Sequence, residues 1–76
     1  MTKEMMINRF NELTGHFNGF SLISITKTYA KKMTKNECKK LLELAEQGYK
    51  EFRLLDTIGY ALDNDYNKIF IYDHRR

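Results

Sequence analysis

Lys31, Lys32, Lys35, Lys39 and Lys40 crowd the start of one predicted helix, and they are the residues of this chain best placed to bind a ligand. The first turn of a helix presents amide N–H groups without intrahelical partners, and its dipole gives that end a partial positive charge. Acids usually occupy such a turn, and bases the last one. Here Glu43 and Glu46 fall toward the far end, so the lysines add to a field that is already positive. This combination attracts phosphate or carboxylate and makes the five lysines candidate nucleic-acid- or anion-binding residues. The competing reading is a solvated surface whose charge keeps the domain soluble.

A second candidate is acidic. Lys27 to Lys40 holds six lysines and one acid, whereas Asp56 to Asp73 holds four aspartates and one lysine. A basic end and an acidic end are therefore expected. Asp56, Asp63 and Asp65 are the candidate partner-binding residues of the acidic end, where aspartates on a hairpin could mimic phosphates for a basic partner. Opposed patches of this kind steer association and also permit head-to-tail pairing of two copies.

Other chemistries are poorly supplied. Asp63-x-Asp65-x-Asn67 opens like a calcium loop, but Lys68 stands where the sharp-turn glycine belongs and His74 where the bidentate Glu belongs. A plain turn is the better reading. Cys38 is flanked by lysines but shares an apolar stripe with Leu41 and Leu42, the pattern of a core thiol. His16 and His74 lack partners at metal-ligand spacing. Tyr29, Tyr60, Tyr66 and Tyr72 would stack on unpaired bases if a sheet exposed them, although aromatics at strand spacing usually form core or cross-strand pairs. Asp56 and Asp73 could meet as paired carboxylates, but a chain this small leaves little room for a catalytic pocket. No catalytic residue, metal ligand or cofactor is assigned, and the protein is not expected to be an enzyme.

The elements that must carry these residues can be read from spacing. Met6, Ile7, Phe10 and Leu13 predict a helix over 3–14. Phe20–Tyr29 is rich in β-branched and aromatic residues and reads as a strand. Thr34 and Glu37 form a capping box, Gly48 supplies a stop, and Cys38, Leu41, Leu42 and Ala45 give the apolar stripe of a second helix over 35–47. Residues 50–62 fit one strand with Phe52, Leu54, Ile58, Tyr60 and Leu62 on a shared face, and fit a helix less well. The turn-forming run Asp63–Asn67 then leads into a strand, Lys68–Asp73, which is apolar on both faces and is expected inside the sheet. The result is an α+β domain of order α-β-α-β-β, a mostly antiparallel three-stranded sheet with helices on one face. Should 50–62 be helical, the order becomes α-β-α-α-β.

A helix-turn-helix reading takes Ile25 to Met33 as the first helix, 35–47 as the recognition helix and 53–73 as a wing, with Lys35, Asn36, Lys39 and Lys40 toward DNA. The strand character of Ser21 to Thr28 opposes it, as do Glu37, Glu43 and Glu46 on the recognition helix.

The 76 residues predict a single domain over 1–76, and 42% hydrophobic content suits a compact fold. One cysteine cannot form an internal disulfide. The first residues lack a signal-peptide h-region, and no apolar run approaches the roughly 18 residues of a membrane span, so a cytoplasmic location without membrane attachment is expected, in a cell or an infected host. Lysine, asparagine and isoleucine richness at this size is the composition of many small phage or mobile-element proteins. The leading expectation is a non-enzymatic interaction protein, a regulator or inhibitor that binds a protein partner through segregated charged surfaces. The alternative is nucleic-acid binding through the lysine-rich helix start. A weaker alternative is an oligomer-forming subunit, paired through the edge of the last strand or of 50–62.

Overall fold

The computed structural model describes residues 1–15 and 31–75. The expected strand Phe20–Tyr29 lies outside them, as do His16 and Arg76. Helix α1 spans Lys3–Gly15. The Thr2 hydroxyl accepts from the Met5 amide at 3.2 Å and so satisfies one free donor of its first turn. Met6, Ile7 and Phe10 are buried along one stripe, and Thr14 is buried beside them with its hydroxyl donating to the Phe10 carbonyl at 2.9 Å.

Helix α2 spans Lys35–Glu46, and both its ends are built as its punctuation requires. The Glu37 amide donates to Thr34 Oγ1 at 3.1 Å, while Glu37 Oε1 accepts from the Thr34 amide at 3.1 Å. At the other end Gly48 takes φ +95°. Its amide reaches the Ala45 carbonyl at 3.2 Å, and the Tyr49 amide reaches Leu44 at 3.0 Å, which is a Schellman motif. Cys38, Leu41, Leu42, Leu44 and Ala45 turn inward. Ahead of α2, Lys31 and Lys32 have helical backbone, and Met33–Thr34 break it. The rest of the first helix of a helix-turn-helix lies outside the described residues.

Three strands follow, β1 Glu51–Leu54, β2 Ile58–Leu62 and β3 Lys68–Asp73, paired antiparallel in the order β1-β2-β3. The architecture is α+β. Both helices join one core with the inner face of this sheet, where Phe10 meets Phe52 edge-on at 4.9 Å between ring centroids. Residues 50–62 are extended, so the α-β-α-α-β order does not occur. They are not one strand, however. A tight turn at Asp56–Thr57, closed by the Leu55 amide on the Ile58 carbonyl at 2.8 Å, folds them into a hairpin. That turn changes the parity of every residue after it. Phe52 and Leu54 face the core with Gly59 and Ala61, while Tyr60 and Leu62 go to the outer face.

The last strand carries an irregularity of its own. Among the described residues β3 pairs with β2, and the expected strand Phe20–Tyr29 lies outside them. A bulge contributes to its apolar run. Gly59 pairs with Tyr72 and Tyr60 with Phe70, which leaves Ile71 as the extra residue of a β-bulge. The bulge turns both Ile71 and Tyr72 inward, and Phe70 stays 39% exposed.

Candidate functional site

The five lysines fall around the Met33–Thr34 break. Lys31, Lys35, Lys39 and Lys40 are exposed, and none of them forms an ion pair among the described residues. Lys32 differs, because its Nζ lies 2.9 Å from Asp56 Oδ1 in the β1–β2 turn. The basic and acidic segments therefore meet at this pair. Glu37 tempers the positive field as well. One of its oxygens caps α2. The other, Oε2, is buried without a hydrogen bond among the described residues, 3.5 Å from His74 Nε2.

The three aspartates are not equivalent. Asp56 is engaged by Lys32. Asp63 Oδ1 accepts from the Asp65 and Asn67 amides, each at 2.9 Å, and Oδ2 accepts from Asn67 Nδ2 at 3.1 Å. These bonds, the Asn67 amide foremost, hold its carboxyl below the usual carboxylate range. Asp65 is exposed and contributes only its amide to this loop. Beside it Tyr66 is 78% exposed and takes φ 62°, a left-handed conformation rare for an aromatic residue. Asp73 is likewise held low by the Arg75 guanidinium, 2.9 Å away.

The tyrosines separate in the same way. Tyr72 is buried, and its hydroxyl donates to the Leu55 carbonyl at 2.6 Å. Tyr60 lies on the outer face of the sheet, 6.1 Å from Phe70 between centroids, and Lys68 Nζ stands 4.3 Å from the Tyr60 centroid. Tyr29 lies outside the described residues. Cys38 is fully buried, and burial pushes its thiol up, the state of an inert core cysteine.

Sequence reasoning missed the cleft of about 20 Å³ between Lys32, Glu37, Asp56, Tyr72 and His74. It has room for roughly one water molecule. The only sequence signal for it was the capping glutamate, because the cleft is assembled from residues far apart in the chain. Among the described residues, no three His, Cys, Asp or Glu side chains converge as metal ligands would, and no helix is long and apolar enough to cross a membrane. Comparison with protein-family models, curated proteins and solved structures gives no match to this chain.

Proposed function

We propose that this chain is a non-enzymatic binding protein, a regulator or inhibitor that engages a macromolecular polyanion through the lysines around the start of α2. The observation that carries this reading is an imbalance of availability. Lys31, Lys35, Lys39 and Lys40 are exposed without ion pairs among the described residues, whereas Asp56 is engaged by Lys32 and Asp63 by its own turn. A break between helical Lys32 and α2, followed by a β-hairpin, also agrees with a helix entering a groove and a wing beside it. The phosphate backbone of a nucleic acid is the polyanion that fits such a spread of point charges.

Fluorescence anisotropy with labelled duplex DNA at about 50 and about 200 mM salt tests this, because counterion release makes phosphate binding steeply salt-dependent. Replacing Lys31, Lys35, Lys39 and Lys40 with Gln should weaken binding and flatten the salt slope. Duplex binding with an unchanged slope in that variant would remove the lysines from the interface.

A second reading rests on Tyr66. An exposed aromatic in a left-handed conformation, beside the exposed residue Asp65, suits the hairpin tip to a basic protein partner. Titration with a lysine-rich peptide should then shift amide resonances of 63–67 selectively, and shifts spread over the whole sheet would reject it.

A further inference from the structure

We infer that the outer face of the sheet, turned away from both helices, is a stacking surface for unpaired bases of single-stranded nucleic acid. This goes beyond the lysine site, since it uses a different face and different chemistry. Arg53, Tyr60 and Phe70 are direct cross-strand neighbours on β1, β2 and β3, so their side chains form one row on this face. The two rings sit 6.1 Å apart at 65°, and Phe70 remains 39% exposed. The core does not need them, because burial on the other side is supplied by Phe52, Leu54, Ala61 and Ile71.

Cations bracket the rings. Lys68 Nζ stands 4.3 Å from the Tyr60 centroid and 5.8 Å from that of Phe70. Arg53, at the other end of the row, is exposed and forms no ion pair among the described residues. Opposing them on this face are Glu51, half-buried two residues before Arg53, and Asp73, which Arg75 already neutralises. Aromatic faces with a guanidinium and an ammonium alongside match a base with its phosphate, the pairing by which sheets hold single strands. An apolar protein segment would instead leave both cations desolvated.

The test is anisotropy of labelled oligo-dT and oligo-U, with a duplex as control, for the parent protein and for Phe70→Leu and Arg53→Gln. Loss of the Phe70 ring should weaken single-strand binding about tenfold, within the range measured for stacking residues, and leave duplex binding unchanged. In the parent protein the Phe70 ring-proton resonances should move on adding oligo-dT, a readout that does not depend on any variant folding. Neither single strand binding at about 50 mM salt, or binding that both substitutions leave intact, would overturn the inference. Replacing the α2 lysines separates the two readings. Loss of duplex binding alone leaves the stacking face standing, and loss of single-strand binding with Phe70→Leu harmless assigns both ligands to α2.

Discussion

The two turns of the sheet are held by opposite means. The β1–β2 turn is anchored from a distance. Tyr72 donates its hydroxyl to the Leu55 carbonyl at 2.6 Å, the His74 amide donates to the Thr57 carbonyl at 2.6 Å, and Lys32 pairs with Asp56 at 2.9 Å. The β2–β3 turn is held by itself. Asp63 accepts bonds from Asp65 and Asn67, and the Tyr66 amide returns to the Asp63 carbonyl at 3.1 Å. One turn exists because the chain has already folded around it. The other is specified by five consecutive residues. The distant anchor also joins the basic segment to the sheet, so the first turn reports on tertiary structure and the second on local structure.

The sharpest way to break this contrast is Gly59→Ala. Gly59 pairs with Tyr72, and an added Cβ would lie 2.5 Å from Tyr72 Cε1 and 2.8 Å from Cζ. The ring is buried and its hydroxyl is tied to Leu55, so it has little freedom to retreat. Overpacking of this kind costs about 1–3 kcal/mol, and the loss should appear in urea unfolding together with disturbed amide resonances at 55–57. The β2–β3 turn should keep its resonances. If 63–67 moves as much as 55–57, the two turns are not separately held.

The contrast also explains what could be read in advance. Thr34, Glu37 and Gly48 each act on backbone groups within a few residues, so the bounds of α2 were legible from local chemistry. The same holds for the run Asp63–Asn67. Asp56-Thr57 carries no Gly, Asn or Pro signal, and its turn depends on Tyr72 and His74, so the hairpin within 50–62 was hidden. The miss propagated, because an unseen turn shifts parity and sent Tyr60 to the wrong face. The bulge at Ile71, which turns two successive apolar side chains inward, was not visible either. For the candidate site, the lysines were visible in the sequence. The Lys32–Asp56 pair and the Arg53–Tyr60–Phe70 row were not, since both follow from register.

Tyr66 sharpens the comparison from the other side. A self-contained turn of this shape ends on a left-handed residue, usually Gly or Asn, and here Tyr66 holds φ 62°. Tyr66→Gly relieves a penalty of about 1–2 kcal/mol for a left-handed L-residue and loses part of it to the greater freedom of glycine when unfolded. The expected outcome is a net gain of up to about 1 kcal/mol in urea unfolding. The side chain is exposed, so no packing loss offsets the gain. An unchanged or lower midpoint would mean that the ring stabilises the turn. A gain is what a residue kept for contact with a partner should give.

The smallest effect is set by proton linkage at the same turn. Asp63 is held below the ordinary carboxylate value, about 3.9, chiefly by the Asn67 amide, so the folded state favours its charged form. A depressed folded value contributes stability above the unfolded pKa, and that stability is lost as pH falls through it toward the folded one. Asp73 acts in the same direction through Arg75. Asp63→Asn keeps an oxygen that can accept from the Asp65 and Asn67 amides but cannot titrate there. Between about pH 6 and about pH 2, a range that brackets the carboxylate pKa, the urea midpoint of the parent should fall more than that of the variant. The two should also separate below about pH 4, near the unfolded value. Parallel curves would mean that the Asp63 charge adds nothing to its own turn, and that the two amide bonds to Oδ1, which Asn can keep while losing the acceptor for Asn67 Nδ2, are what hold it.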